Sequence, residues 1–402
     1  MKILHTSDWH LGHRLHEHSQ YEEHSLFLHW LSDYILQNQI DVLLLAGDVF
    51  DTGAPSAQSL KLYYDFLVNL RQTNCHSVFI TGGNHDAPGT LDAPKELLHA
   101  LSVQVVGKAT EELCDEVFTV ECNGEKLQVA AVPFLRDQDI RRAVAGESFD
   151  QITERYKLAL MRHYHDVARI CEENKPEKAL TIAMGHLFAI GGKVSDSEQS
   201  IYVGNLGDIG AEDFPETFDY MALGHLHRAQ KVGGKEHIRY SGSPLTLSFS
   251  EVNQEKQVLL IETKDAQIKE ISPVVVPAFR HINRIRGTYD ECVAKLQLIA
   301  QQEHALTPWV EVILERKPDA ILSYTEINKV AEPLNVEVLR VTYSQTKEVN
   351  GAGQYAEQEL DINDLDPVEV FRLKCKEEDF DLEQNPEIVD AFHEILQLVQ
   401  GQ

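Results

Sequence analysis

Five short stretches combine carboxylate, amide and imidazole side chains: Asp8-x-His10, Gly47-Asp48-x-x-Asp51, Gly82-Gly83-Asn84-His85-Asp86, Gly185-His186 and Gly224-His225-x-His227. Each follows an apolar run, so each reads as a loop at the end of a strand. No thiolate is among them. Oxygen and imidazole donors together suit manganese, iron or zinc better than magnesium or calcium, whose sites are built mainly from oxygen. Residues two apart leave a loop in the same general direction, so Asp8 with His10, and His225 with His227, can each serve one centre. Asp48 has two carboxylate oxygens and can hold one cation on each, and Gly47 removes the bulk that would stand in the way. One such motif alone is weak, and GD after a strand is usually a turn. Five in order, each after a strand, are far harder to obtain by accident.

A pair of cations fits phosphodiester hydrolysis. A phosphodiester is anionic and repels hydroxide, so its cleavage needs both charge neutralisation and a nucleophile available at neutral pH. Two metals about 3.5 to 4 Å apart supply both, lowering the pKa of bound water from roughly 15.7 toward 7. A proton donor then serves the departing alkoxide. His85 is the candidate, with Asp86 expected to orient its ring and favour its charged form. Asp51 reads as a supporting or turn-forming residue rather than a ligand. His5, His13, His16, His18, His24 and His29 surround the first motif and read mostly as solvated or core residues. Arg136, Arg141 and Arg142 are candidates for phosphate contact, though a solvated helix face explains them equally well.

The elements that must position these loops follow from periodicity. Lys2 to Thr6, Val42 to Ala46, Ser77 to Thr81, Leu180 to Met184 and Tyr220 to Gly224 are short apolar runs that suit buried strands. Val42 to Ala46 has no polar position, as a strand covered on both faces requires, and ligands in such sheets gather beyond the carboxyl ends of strands. Helices are expected over LFLHWLSDYIL from Leu26, over Ser56 to Arg71, over Ala93 to Leu101 and over Phe149 to Asn174. Tyr63, Tyr64 and Phe66 form an aromatic stripe of the kind usually found in a core. Glu116 to Glu121 and Leu127 to Pro133 read as strands. His237 to Tyr240, Gln257 to Glu262 and Ile268 to Ile271 read as antiparallel strands completing a second sheet. The alternation of strand and helix up to about residue 110 argues for a layered α/β core.

Residues 1–275 are expected to form one domain and residues 276–345 a small α/β unit, with an acidic linker at 346–366 and a helical tail at 367–402. In the tail, Asp366-Pro367 and Asn385-Pro386 each look like an N-cap with proline at the first helical position. Phe371 lies on the first helix; Ile388, Phe392 and Leu396 lie on one stripe of the last, a surface for a partner helix or for folding back on the small unit.

The chain has 402 residues, 43% of them hydrophobic, enough for a large core and two or three domains. Six cysteines without CxxC pairing indicate neither a disulfide framework nor a structural zinc site, which fits a reducing cytoplasm. No stretch reaches membrane-spanning length, and the first residues lack the long apolar region of a signal peptide. A net charge of −28 argues against unaided tight binding to nucleic acid. Divalent ions would reverse the local sign in a carboxylate pocket, and a basic partner could add grip.

DxH, GDxxD, GNHD, GH and GHxH in this order resemble the calcineurin-like metallophosphoesterases, a four-layer αββα sandwich. Within that superfamily, DWHLG at Asp8 to Gly12, GDVFDTG at Gly47 to Gly53, ALGHLHRAQ at Ala222 to Gln230 and RYSGSP at Arg239 to Pro244 resemble the SbcD nuclease family. The likeness is strong to about residue 275 and weaker beyond. It implies that Asp8, His10, Asp48 and His227 bind one metal, that Asp48, Asn84, His186 and His225 bind a second, and that both are Mn²⁺. It also implies a catalytic His85, an SbcC-type coiled-coil ATPase as partner, and a homodimer within a heterotetramer. The implied activity is double-strand exonuclease and single-strand or hairpin endonuclease action in DNA repair, recombination and replication. A phosphatase or small-substrate phosphodiesterase of the same superfamily is the competing enzyme. It is disfavoured because no arginine follows Asp51 and because Asp86 stands where protein phosphatases carry Glu. A scaffold that only holds the ATPase through the last helices is the non-enzymatic alternative.

Overall fold

Every side chain of Val42–Ala46 is buried, because the strand is covered from both sides. Val42, Leu44 and Ala46 face Leu127, Val129, Ile182, Met184 and Ala222 of an opposing sheet. Leu43 and Leu45 face the helical residues Phe27, Leu31 and Phe66. A fully buried Leu contributes about 1.5–3 kcal/mol, so this unbroken apolar strand is favoured only where both coverings exist.

The structure, a computed structural model, describes residues 1–140, 149–189, 209–315 and 320–344, together with Ile388 and Phe392. In chain order the strands are β1 (Lys2–Thr6), β2 (Arg14–Leu15), β3 (His18–Ser19), β4 (Val42–Ala46), β5 (Ser77–Thr81), β6 (Val103–Val106), β7 (Val117–Cys122) and β8 (Glu125–Ala131). There follow β9 (Ala179–His186), β10 (Tyr220–Gly224), β11 (Gln230–Lys231), β12 (Ile238–Tyr240), β13 (Gln257–Lys264), β14 (Gln267–Val275), β15 (Ile282–Gly287), β16 (Trp309–Glu315) and β17 (Glu337–Ser344). One sheet has the order β14-β13-β1-β4-β5-β6 and the other β11-β12-β10-β9-β8-β7. Helices α1 (Tyr21–Asn38) and α2 (Ala57–Leu70) pack outside the first. After the single turns α3 (Pro88–Asp92) and α4 (Lys95–His99) and the short α5 (Asp137–Ile140), the long α6 (Phe149–Glu173) packs outside the second. The result is the expected four-layer α/β sandwich, with a third core between the sheets.

Two expectations need correction. The strands after residue 237 do not together complete a second sheet. β13 and β14 pair antiparallel with each other, and β13 pairs antiparallel with β1, placing Leu260 opposite Leu4 in the first sheet. Only β12 joins the second, and it lies parallel to β10. Alternation marks a strand but not its neighbour, and β13 closes the free edge of β1. The β13–β14 hairpin turns through Asp265 and Ala266, both at positive φ, as a two-residue loop matched to strand twist requires. The helix expected over 93–101 is shortened to the single turn α4, with Pro94 at its N-cap, and the separate turn α3 precedes it. Elsewhere α1 begins at Tyr21, ahead of Leu26, and Ser56 caps α2 by accepting from the Ser59 N–H.

The strands β15, β16 and β17 form a separate parallel sheet backed by α7 (Tyr289–Ala300) and α8 (Ala320–Ala331). Thr288 and Glu291 form a capping box at the start of α7. This unit rests on the β2–β3 hairpin and the start of α1. Arg280 pairs with Glu22 and Glu23, donates to the Thr307 carbonyl, and lies 4.2 Å from the ring centroid of Trp309. Leu15, Phe249 and Trp309 pack together beside it. No helix among the described residues is long and apolar enough to cross a membrane.

Candidate metal centre

The loop after β1 continues alongside the loop after β4, with Asp8 N bonded to Gly47 O, His10 N to Asp48 O and Leu11 N to Val49 O at 2.9–3.0 Å. This extension of the parallel pairing brings Asp8, His10 and Asp48 together. The loop after β5 is tied to the same place, because the Asp48 carboxylate accepts from His85 N at 2.9 Å. Gly83 permits that approach: a Cβ there would lie 2.0 Å from Asp48 Oδ1. From the second sheet, His225 N donates to Asp8 Oδ1 at 2.9 Å, and His186 Nδ1 donates to Ala46 O at 3.0 Å.

All seven residues expected to bind metal therefore meet. Asp8, His10 and His227 each place a ligand atom within 4.8 Å of the others; Asp48, His186 and His225 do the same, and so do His10, Asp48 and His85. Asp48 Oδ2 lies 3.2 Å from His186 Nε2 and 3.5 Å from His10 Nε2, between the two groups. Asn84 Oδ1 lies 2.9 Å from His186 Nε2 and 3.0 Å from His225 Nδ1. The side chains fit divalent cations on an independent count as well. Both ring nitrogens of buried His10 lack a well-directed hydrogen bond, although Nδ1 lies 3.2 Å from Asp51 Oδ1. An imidazole left so in the interior is costly unless something else takes a lone pair.

The electrostatics suit the same use. Burial lowers the pKa of His10, and burial with the nearby charge of His186 holds His225 well below the ordinary imidazole value, so both present neutral rings. Burial opposes ionisation of Asp48, but His186, His85 and His10 together hold its carboxyl well below the usual range. Burial likewise disfavours a charged His186, yet the Asp48 carboxylate overrides it and raises His186 to about 9. A cation at His186 must displace that proton, so metal uptake and proton release are linked. Asp8, His10, Asp48 and His225 all adopt positive φ, at 52°, 46°, 49° and 102°. Such backbone costs on the order of 1–3 kcal/mol per residue and persists only where the surroundings fix it.

Asp86 does not orient His85. Its carboxylate is buried and accepts from Val49 N, Phe50 N and Gly83 N at 2.9–3.1 Å, clamping the loop after β4 to the loop after β5. The chain bends at Asn84, His85 and Asp86, and it buries the Asp86 side chain while His85 stays half-buried at the site. The ring of His85 is held instead by the Asp51 carbonyl, 3.0 Å from Nδ1. Asp51 itself takes His13 Nδ1 at 2.8 Å on its carboxylate, the supporting role expected of it. His5 and His24 are core residues, and Arg136 donates to the Asp86 carbonyl. Arg141, Arg142, Phe371 and Leu396 lie outside the described residues; Ile388 is exposed and Phe392 half-buried.

Sequence reasoning missed Glu251 and Lys256. Both are buried below the His225–His227 loop, and Glu251 bonds His227 Nδ1. Nothing in SFSEVNQEK distinguishes them from surface charges except that they follow an uncharged decapeptide, Ser241 to Ser250.

Residues 1–229 match the calcineurin-like phosphoesterase family, and residues 278–379 match the type 5 capsule protein repressor C-terminal domain. Over 403 aligned residues the chain is 32% identical to the SbcD subunit of the SbcCD nuclease of Escherichia coli (strain K12), covering 100% of this chain and 99% of that one. The chain belongs to the SbcD family of calcineurin-like phosphoesterases. The SbcD protein of Bacillus subtilis (strain 168) is 35% identical over 66% of this chain and 67% of its own. That of Rhodobacter capsulatus is 31% identical over 86% and 88%.

Proposed function

We propose that this chain hydrolyses DNA phosphodiester bonds as the nuclease subunit of an SbcCD-type complex. The observation that carries the reading is the convergence of seven donor side chains from five loops around Asp48, in a chain of the SbcD family. Asp8, His10, Asp48 and His227 would hold one Mn²⁺ and Asp48, Asn84, His186 and His225 a second. Bound there, the cations neutralise phosphate charge and make a nucleophile available at neutral pH. The protein's own groups do the rest. The Ala46 carbonyl keeps the proton of His186 on Nδ1 and so presents Nε2. His85, half-buried at the edge of the cluster with Nδ1 bound to the Asp51 carbonyl, holds Nε2 as the proton donor for the departing oxygen. Asp86 keeps the two loops in register.

The same reading divides the chain at 1–275, 276–345, 346–366 and 367–402, with Phe371, Ile388, Phe392 and Leu396 presented to an SbcC-type ATPase. It places a homodimer within a heterotetramer in the cytoplasm, working in DNA repair, recombination and replication as a double-strand exonuclease and hairpin endonuclease. Its test is cleavage of end-labelled hairpin DNA by the full chain with Mn²⁺, with and without the partner, beside a phosphoprotein and an aryl phosphate monoester. DNA cleavage is expected. Turnover of the monoester with intact DNA would replace the nuclease by a phosphatase. Removal of residues 367–402 is expected to abolish partner binding and spare cleavage of simple substrates; retained binding in a pull-down would show that the tail is not the docking element.

A further inference from the structure

Beneath the metal centre lies a buried ion pair that none of the five loops contains. Glu251, in the single turn Phe249–Glu251, is completely buried. Its Oε1 accepts from His227 Nδ1 and from Ser248 Oγ, each at 3.2 Å, and its Oε2 accepts from Leu247 N at 3.1 Å and Lys256 Nζ at 2.7 Å. Lys256, also buried, reaches Ser243 Oγ at 2.8 Å and the carbonyl of His227 itself at 3.4 Å. One charged pair thus grips His227 at two points, its ring and its backbone.

We infer that Glu251 is a positioning residue that fixes the ring and tautomer of His227, with Lys256 as its counter-ion, so that Nε2 is delivered as a metal donor beside Asp8 and His10. The inference rests on the proposed reading of the centre. A carboxylate only accepts, so the Nδ1 of His227 carries the proton and Nε2 keeps its lone pair. Asp8, His10 and His227 each place a ligand atom within 4.8 Å of the others, and the bond from Nδ1 to Glu251 fixes the rotation of the His227 ring within that group. Lys256 acts differently. Its ammonium ends on Glu251 Oε2, on Ser243 Oγ and on the His227 carbonyl, so it holds the carboxylate in place and ties it to the backbone of the residue it orients.

The test is calorimetric titration of the metal-free full chain with Mn²⁺, joined to the electron paramagnetic resonance spectrum of the loaded protein. Glu251→Ala combined with Lys256→Met removes the pair without stranding a charge; Glu251→Asp keeps the ion pair and withdraws the acceptor from the ring. Both should keep the circular dichroism of the parent. One binding step should weaken about 10–100-fold while the other changes little, the span typical of groups that orient a metal-bound histidine. The spectrum should change from that of a coupled pair to that of an isolated ion. Either variant, folded and binding both ions as tightly as the parent, overturns the inference while leaving the metal centre intact. A parent that takes up no manganese overturns the reading of the centre and this inference with it.

Discussion

Asp86→Ala separates two jobs for one carboxylate. If Asp86 served only to orient His85, its removal would leave stability and metal uptake intact and alter only the pH profile of cleavage. The structure gives it a different role, since three backbone N–H groups, of Val49, Phe50 and Gly83, end on it. Each buried donor left without a partner costs about 1–3 kcal/mol, which bounds the loss at roughly 3–9 kcal/mol. Removal also relieves a desolvated charge next to Asp48, the two causes that push the Asp86 carboxyl up to about 6, so the lower end, about 3 kcal/mol, is expected. Asp86→Asn keeps one acceptor oxygen and should lose about half as much. The same clamp positions Gly83 against Asp48, so Asn84 and His85 drift when it opens, and Mn²⁺ affinity at the centre containing Asn84 should fall with stability. Urea unfolding of the metal-free protein, followed by circular dichroism and paired with Mn²⁺ titration, reads both quantities. An alanine variant within about 0.5 kcal/mol of the parent, with parental metal affinity, would refute the clamp, because a change that small is what a surface substitution gives.

His85→Gln should abolish DNA cleavage while leaving metal content close to parental, because His85 reaches the centre from its edge; full activity by end-labelled hairpin assay would remove it from the chemistry. Stability should also fall in acid through His5. Burial lowers its pKa from 6.5 to about 3, so the folded state refuses a proton that the unfolded chain accepts. That contribution is complete above pH 6.5 and is lost as pH falls toward 3, amounting to about 2 kcal/mol by pH 5. His5→Phe should flatten this part of the slope in urea unfolding at pH 7.5 and 5, and an unchanged slope would show that His5 is not the responsible group.

The layered α/β core and the convergence of five loops were legible because both rest on local pattern. Apolar runs without alternation mark strands covered twice, and a donor at the end of such a strand has one general place to go. Partner choice was not legible. β13 pairs with β1 across more than two hundred residues, and only the open edge of a folded sheet selects it. Side-chain direction within a loop was likewise hidden: His85 and Asp86 are adjacent, yet one reaches the centre and the other binds backbone beneath it. Glu251 and Lys256 were invisible for a related reason, since a buried ion pair and two surface charges have the same spelling. Positive φ at Asp8, His10, Asp48 and His225 was hidden too: Asp and His are enriched there, but most Asp and His residues are not, so residue type alone does not mark these four.

The donors are divided between the sheets, and that division ties the site to the packing of the whole sandwich. The first sheet supplies Asp8, His10, Asp48, Asn84 and His85, and the second supplies His186, His225 and His227. Each of the two proposed four-donor centres draws on both sheets. The two are held in register near the site by a column of polar contacts beside the apolar core: His5 Nδ1 to the Tyr220 hydroxyl at 3.0 Å, Ser7 Oγ to Ser241 Oγ at 2.7 Å, His225 N to Asp8, and His186 Nδ1 to the Ala46 carbonyl. Hydrophobic burial brings the sheets together but is indifferent to small slides between them, whereas hydrogen bonds fail within a few tenths of an ångström. The polar column therefore sets the alignment that the apolar core leaves free. Gly224 belongs to the same device, since a Cβ there would lie 1.8 Å from the Ala46 carbonyl and would part the sheets at the level of the proposed metal ligands. Substitutions along this column should accordingly disturb metal geometry before they unfold the sandwich, because alignment depends on a few directed bonds and cohesion on many undirected contacts.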